Sequence, residues 1–270
     1  MRSTIVSFSI SIPLVLVSFS SQACSMTMGY RTNERPPLIA ASPDNSGLYK
    51  HLYEKAAEKI GCKLNVVRGP KKRILKQLKK GTIDFYPGFN FSEARSQYIY
   101  FIENGLSGGE MGISLDDYPD IHHLAGLKGS TVLQSLGSPN HVQHLNSVHT
   151  YVEPDMTIDR AVKLLKKKRG DFYIYNRASI HYYMKLKQPT GIKLHPNCCG
   201  APRPLYLGFS RHSPYIKEES NPQFQKDLKP SPDNQATQLN KESKAYQLQQ
   251  ALMKMKLSGE TDAIYEMYYQ

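Results

Sequence analysis

Three histidines lie close together in this sequence and are its first candidates for metal chemistry. His141 and His144 stand three residues apart, a spacing at which two imidazoles on one face of a helix can chelate zinc, and His149 follows. No cysteine or carboxylate lies between them to complete a closed zinc site. We therefore expect no metal site and no metal cofactor.

Two basic runs, 71–73 and 166–169, are candidates for nucleic-acid binding. The formal net charge of +12 favours acidic partners, whether small anions, nucleic acids or an anionic membrane surface. Both runs fall on predicted helices whose opposite faces are apolar, which is the pattern of a solvated helix face. Catalytic signatures are scarce, since neither a Gly-x-x-x-x-Gly-Lys phosphate loop nor a His-Glu-x-x-His pair occurs. We expect no nucleic-acid partner and no catalytic cofactor.

The first 23 residues predict export. Arg2 supplies a positive start, residues 5–19 form an apolar run diluted by serine, and Ser21-Gln22-Ala23 places small residues where signal peptidase cleaves. The run is short for a membrane span, which needs about 20 apolar residues. The alternatives are an uncleaved anchor and a lipoprotein modified at Cys24, for which Ser21 is a poor substitute for the usual leucine. We expect cleavage near Ala23 and a periplasmic protein.

Export permits disulfides among the four cysteines. Cys24 precedes a predicted strand at 26–29 and Cys62 opens another at 62–67, so their sulfurs are adjacent if these strands are parallel neighbours. Closing that loop would contribute about 4 kcal/mol through chain entropy. A bridge between Cys198 and Cys199, which are adjacent in sequence, would be strained. Free thiols are the alternative for both pairs, because spacing alone does not give the pairing.

The chain after residue 24 alternates strands with helices. Predicted helices cover 47–60, 71–80, 158–168, 179–184 and 245–257, with one more after Gly137-Ser138 that carries the histidines, and predicted strands cover 26–30, 62–67, 83–86, 127–134, 171–175 and 205–209. This order predicts mainly parallel sheets covered by helices. Residues 213–241 are rich in Pro, Asn, Gln and Lys and are expected to form a long surface loop.

One local plan occurs twice: a helix, a glycine and then a strand that carries an aspartate. The first copy ends in Gly81-Thr82-Ile83-Asp84 and the second in Gly170-Asp171. Two similar α/β lobes predict a cleft between them. Such folds bind small ligands at the carboxyl ends of their parallel strands, so the cleft is the expected binding site.

Several short motifs in a consistent order carry a resemblance to a known family. They are Pro36-Pro37, Glu58-Lys59-Ile60-Gly61, the segments 78–84 and 88–95, Leu127-Lys128-Gly129, Gly137-Ser138, Lys256-Leu257-Ser258-Gly259 and Ile264-Tyr265. Together they resemble the bacterial solute-binding proteins of the polar amino-acid type (family 3, a type II periplasmic binding fold). The resemblance implies a two-lobed α/β protein that closes over one small ligand and delivers it to an ABC permease.

The resemblance also implies a site around Arg95, which matches the family's arginine for an amino acid's α-carboxylate. A planar guanidinium offers a carboxylate two parallel charge-assisted bonds. Gly88 allows close backbone approach, while Asn90 and Ser92 stand where family members carry threonine hydroxyls. The helix opened by Ser92 points N–H groups at the same anion, and Ser138 reaches the ligand from the second lobe.

The alternative for Arg95 is a surface ion pair with Glu93 or Glu103. Tyr30 is expected as a stacking wall of the pocket, with a core or hinge tyrosine as the alternative.

Two departures from the family pattern concern charge. The family often has an aspartate for the ligand's ammonium where this chain has Asn176, whose alternative role is a turn at the strand end. Arg31 and Arg35 occupy a loop where an acid and an aromatic are common. A ligand with extra negative charge, or one without an ammonium, therefore fits the expected cleft.

We expect lobe 1 to comprise residues 24–107 and 205–270, and lobe 2 to be the inserted segment 108–204, with hinges near Gly108-Gly109 and Pro204-Leu205. The expected function is capture of a small anionic or zwitterionic, carboxylate-bearing solute, an amino acid or a relative, by a monomer that serves an ABC-type importer. One alternative is a stand-alone or sensor-coupled binding module. The other is an enzyme resembling the periplasmic cyclohexadienyl dehydratases, which would need Glu93 or Glu110 as its general acid.

Overall fold

The computed structural model describes residues 24–136, 140–154 and 156–269. The expected cleavage site near Ala23 and the predicted ligand residue Ser138 lie outside the described residues. The strands are β1 (Cys24–Arg31), β2 (Cys62–Gly69), β3 (Phe85–Phe89), β4 (Ile99–Gly108), β5 (Glu110–Leu115), β6 (Thr131–Ser135), β7 (His149–Glu153), β8 (Phe172–Asn176), β9 (Ile192–His195), β10 (Arg203–Ser210), β11 (Glu218–Ser220) and β12 (Thr237–Leu239). The helices are α1 (Leu48–Glu58), α2 (Lys71–Lys80), α3 (Glu93–Ser96), α4 (Ile158–Lys166), α5 (Arg177–Lys187), α6 (Lys244–Leu257) and α7 (Glu260–Tyr269).

Two sheets organise the described part of the chain, in the orders β2-β1-β3-β10-β4 and β7-β6-β8-β5-β9. β1 is parallel to β2 and β3, and β6 is parallel to β7 and β8. In contrast, β10 and β5 are antiparallel to both of their neighbours. The chain leaves the first sheet at Gly109, between β4 and β5, and returns through residues 196–202, between β9 and β10. The antiparallel pairings thus lie beside the two crossings.

The repeated aspartate has the same structural role in both sheets. The Thr27 N–H donates to Asp84 Oδ2, and the Thr131 N–H donates to Asp171 Oδ2, each at 2.7 Å. In each pair the aspartate N–H donates in return to the carbonyl oxygen of the same threonine. Asp84 therefore holds the start of β3 beside β1, and Asp171 holds the start of β8 beside β6.

The apolar faces predicted for the helices pack against the sheets. Helix α1 buries Leu48, Leu52 and Ala56, and α2 buries Ile74 and Leu78. A spacing of three or four residues places these side chains on one helix face, and burying a side chain such as leucine contributes about 1.5–3 kcal/mol.

Both cysteine pairs are oxidised. Cys24 and Cys62 stand opposite each other in the parallel register of β1 and β2, and their sulfurs are bonded, with the Cα atoms 4.5 Å apart. The Cys24 sulfur is therefore not available to carry a lipid thioether. Cys198 and Cys199 are bonded to each other within the returning crossing, where Cys198 is buried in the same apolar cluster as Phe172.

The helix predicted to carry the histidines does not form in residues 140–148, which make turns instead, and His149 begins β7. The Asn140 side chain accepts from the Val142 N–H at 3.1 Å, and such local side-chain bonds compete with helix formation. The predicted loop 213–241 contains a small antiparallel ladder of β11 and β12. Among the described residues, no helix is long and apolar enough to cross a membrane.

Candidate ligand-binding cleft

A cleft of about 720 Å³ is lined by residues from both sheets. Its first wall comes from the segment that follows β1, from the start of α2 and from residues 88–95, and its second wall from the ends of β6 and β8 and from α4 and α5. Because the parallel strands of each sheet end at this edge, their carboxyl-terminal residues and the following loops converge on one space.

Four cationic side chains of the first wall line this cleft: Arg31, Arg35, Lys71 and Arg95. Partial desolvation of the Lys71 ammonium at the edge of the cleft, together with repulsion from the three guanidiniums, lowers the pKa of Lys71 to about 8. The basic run 71–73 predicts a solvated helix face, and Lys71 is exposed as expected but also lines the cleft. Its position directly after β2 and Pro70, at the carboxyl end of a parallel strand, was the signal that places it in the site.

Arg95 lies half-buried on the short helix α3, with its guanidinium 5.0 Å from the centre of the Phe89 ring. Among the described residues it forms no ion pair, so neither Glu93 nor Glu103 neutralises it. An arginine held on an aromatic ring and lacking a carboxylate partner is able to bind an incoming anion.

Arg35 contacts the opposite wall of the cleft. Its guanidinium carbon lies 5.7 Å from the centre of the Tyr175 ring, which belongs to β8 of the second sheet. The Arg35 Nε is buried and has no hydrogen-bond partner. Burial raises the pKa of Tyr49 and the positive charge of Arg35 lowers it. Burial is the larger effect, and the pKa of Tyr49 is raised to about 12. Tyr49 is therefore a neutral hydroxyl in this wall at physiological pH.

The structure brings four of the sequence-predicted site residues to the cleft: Gly88, Asn90, Arg95 and Asn176. Ser92 lies next to this group but is not part of the cleft lining, and its side chain makes no capping bond to α3.

Tyr30 is not a wall of the pocket, which corrects that expectation. It is fully buried in the core of the first lobe, with Arg68 stacked 5.2 Å from its ring centre. Successive residues of a strand point to opposite sides, so Tyr30 enters the core while the next residue, Arg31, reaches the cleft.

Gly88 has a packing reason that the sequence did not reveal. A Cβ at this position would overlap the hydroxyl group of Tyr49, so only glycine leaves room for that ring in the wall. The neighbouring Asn90 donates from Nδ2 to Glu110 Oε1 at 3.4 Å, while its buried Oδ1 has no partner. Asn90 therefore keeps an acceptor for a ligand or a water molecule.

Asn176 lines the cleft and also caps a helix. Its Oδ1 accepts from the N–H and from the hydroxyl of Ser179, both at 3.0 Å, at the start of α5. Both alternatives considered for this residue thus describe its position, since it is at once a strand-end turn and a cleft residue. With Oδ1 already engaged, and with no charge, it is a weak partner for an ammonium.

The histidines do not assemble a metal centre. His141 lines the cleft, His144 is exposed and His149 is on β7. Within the part of the chain that the structure describes, no three histidine, cysteine or acidic side chains are close enough to hold a metal ion.

The fold and cleft are matched by a family profile. The profile of the bacterial extracellular solute-binding proteins, family 3, covers residues 26–270. The chain belongs to this family. The resemblance inferred from the motifs is confirmed, as is the expected α/β architecture of two sheets flanked by helices. A search of curated proteins finds no match to this solute-binding protein.

Three solved structures illustrate the fold of this solute-binding protein. An amino acid ABC transporter substrate-binding protein from Streptococcus pneumoniae, bound to L-arginine, is 14% identical with a TM-score of 0.63, over 91% of this chain and 94% of that one. The GluR0 ligand-binding core from Nostoc punctiforme, in complex with L-glutamate, is 16% identical with a TM-score of 0.65, over 90% of this chain and 99% of that one. An ancestral amino acid-binding protein, a precursor of cyclohexadienyl dehydratase, is 16% identical with a TM-score of 0.65, over 91% and 95%.

Proposed function

We propose that this solute-binding protein is exported to the periplasm, captures a small carboxylate-bearing solute, an amino acid or a relative, and delivers it to an ABC-type importer. The observation that carries the proposal is Arg95, a cleft guanidinium without a carboxylate partner, beside Arg31, Arg35 and Lys71. A carboxylate in this position would gain two charge-assisted hydrogen bonds and relieve the repulsion among four cations. Family membership and neighbours that bind amino acids support the same function.

Binding would work by closure of two lobes over the ligand. We propose lobes of residues 24–107 with 205–270 and of residues 108–204, hinged at the two crossings. Contacts between the lobes are already present: Arg35 with Tyr175, and Tyr182 with Tyr269 at 6.2 Å between ring centres. A ligand held by both walls stabilises this closed arrangement, because its full set of contacts exists only there.

Two alternatives remain, each supported by one neighbour. The GluR0 neighbour is described as a ligand-binding core and not as a transporter component, which supports a stand-alone or sensor-coupled binding module. A permease and an ATPase encoded beside this gene would favour import over sensing.

The dehydratase precursor supports an enzyme. The candidate acids argue against it, because Glu93 is exposed outside the cleft lining and both oxygens of Glu110 are engaged, by Asn90 and Arg203. The segment 105–109 matches a Gly-x-Ser-x-Gly nucleophile pattern, but it lies on extended β4 and its crossing rather than at a strand-to-helix turn.

A thermal-shift screen of the purified protein against amino acids, dicarboxylates, other organic anions and prephenate tests the proposal. A ligand at a hundred times its Kd adds about 2.7 kcal/mol to the free energy of unfolding. Arg95→Ala should weaken binding of the best ligand by about 2–5 kcal/mol and leave the melting temperature of the unliganded protein nearly unchanged. Arg73→Ala, which removes an exposed charge of α2 outside the cleft lining, is the matched control. Equal affinities of both variants and wild type would refute the carboxylate site, and turnover of prephenate would favour the enzyme.

A further inference from the structure

We propose that the ligand is a small dicarboxylate without an ammonium group, with one carboxylate on Arg95 and the other on Arg35. This inference rests on the proposed function and specifies the substrate class of the same cleft. It follows from the balance of charge between the two walls and from the surroundings of Arg35.

The four cations of the first wall are not neutralised by ion pairs within the described part of the chain. Among the described residues, none of Arg31, Arg35, Lys71 and Arg95 forms an ion pair. Their mutual repulsion is strong enough to contribute to the lowered pKa of Lys71. A single carboxylate on Arg95 would leave most of this charge uncompensated, whereas a dianion offers a second group to the remaining cations.

The acidic side chains that line the cleft are mostly engaged already. Glu110 pairs with Arg203, and Asp159 pairs with Lys163, each at 2.7 Å. Among the lining residues that the structure describes, the remaining carboxylate is that of Glu34, which is exposed to solvent. Asn176, at the end of β8 in the cleft lining, carries no charge. An α-ammonium would therefore enter a cationic cleft in which no described carboxylate is both buried and unpaired, at a cost in desolvation.

The position and the unpaired donor of Arg35 suit it to bind a second carboxylate. It is half-buried between the walls, with Tyr175 of the second sheet over its guanidinium. Its buried Nε has no partner, and a buried donor without a hydrogen bond destabilises a protein until something accepts from it. Because the Tyr175 contact exists only when the walls are together, an anion on Arg35 would also favour closure.

Matched pairs of acids that differ only by an ammonium group test the proposal with the purified protein. The pairs are succinate with L-aspartate and glutarate with L-glutamate. L-glutamine, which has an ammonium group and only one carboxylate, is the fifth compound. We expect calorimetry to show at least tenfold tighter binding of the better dicarboxylate than of its amino-acid counterpart. Arg35→Gln should weaken dicarboxylate binding at least tenfold, and Arg73→Gln, the charge-matched control, should change it less than twofold.

The outcomes separate this inference from the proposed function. Tighter binding of L-glutamate, L-aspartate or L-glutamine, still weakened by Arg95→Gln, would overturn the dicarboxylate inference and leave the proposed function standing. An Arg35→Gln variant that binds dicarboxylates as wild type does would overturn the second subsite. Failure of succinate and glutarate to bind, in a protein that binds another carboxylate of the thermal-shift screen, would overturn the dicarboxylate inference alone. Failure of every compound in that screen would overturn both.

Discussion

The Glu110 carboxylate lies 2.7 Å from the Arg203 guanidinium, and this ion pair joins the two segments that connect the sheets. Glu110 is the first residue of β5, after the outgoing crossing, and Arg203 is the first residue of β10, after the returning one. The other carboxylate oxygen accepts from Asn90 in the cleft wall. The pair therefore connects the candidate site with both proposed hinges.

Glu110→Gln should shift the lobes towards an open arrangement. The variant keeps the size of the side chain but loses the charge that holds Arg203, and a partly exposed ion pair contributes about 1 kcal/mol. We expect ligand affinity to fall about fivefold and small-angle scattering of the unliganded protein to show a larger radius of gyration. Lys193→Gln, which breaks the Lys193–Asp120 pair within the second sheet's lobe, should change neither quantity. An unchanged affinity in Glu110→Gln would remove this ion pair from the hinge.

Asn176→Asp should improve ligands that carry an ammonium group. The aspartate retains an oxygen to accept from the Ser179 N–H, and a negative charge at the start of α5 is favourable, so stability should not fall. Calorimetry should show the affinity ratio of L-glutamate to glutarate rising at least fivefold. The comparison variant Asn176→Ala should lose about 1 kcal/mol of stability without that shift. An unchanged ratio in Asn176→Asp would exclude Asn176 from ligand selection.

Anion binding should weaken as pH rises through 8. The pKa of Lys71 is lowered to about 8 by partial desolvation at the cleft edge and by Arg95, Arg31 and Arg35, so the empty protein loses this charge above that pH. A bound carboxylate favours the protonated amine, and binding at pH 8–9 is then accompanied by proton uptake. Calorimetry in buffers of different ionisation enthalpy measures that uptake. Lys71→Met should abolish it, and proton uptake that persists in this variant would assign the titration to another group.

The lowered pKa of Lys71 also makes the free energy of unfolding of the unliganded protein depend on pH. The native state releases the Lys71 proton near pH 8, whereas the unfolded chain holds it to the ordinary lysine value of 10.5. The unfolded state therefore binds more protons between these values, and the contribution of Lys71 to stability increases with pH across that window. Denaturant unfolding at pH 7 and pH 10, with Lys71→Met as reference, measures the difference.

The Cys24–Cys62 disulfide should be a major contribution to stability. It closes a loop with a sequence separation of 38 residues, for which chain entropy gives about 4 kcal/mol. The double variant Cys24→Ser, Cys62→Ser should show a loss of that size in denaturant unfolding. The Cys198–Cys199 disulfide joins adjacent residues and constrains little of the unfolded chain. The double variant Cys198→Ser, Cys199→Ser should therefore lose much less stability. Equal losses in the two variants would contradict the entropic account.

The sequence by itself determined the local elements and the features that depend on them. Apolar spacing predicted α1 and α2, and the helix–glycine–aspartate plan predicted two similar lobes, because periodicity depends only on the geometry of one element. For Cys24 and Cys62 the sequence left a bridge and free thiols as alternatives, and the parallel pairing of β1 with β2 decided for the bridge. The family followed from the order of short motifs.

Only the tertiary structure decided which of these residues share the cleft. Tyr30 and Arg31 are adjacent in sequence, yet Tyr30 is in the core and Arg31 lines the cleft. The position of β1 in its sheet decides which of the two side chains faces the core. The contact of Arg35 with Tyr175 and the ion pair of Glu110 with Arg203 join segments far apart in the chain. Local sequence preferences act over a few residues, whereas these contacts depend on how the two sheets and their crossings pack together.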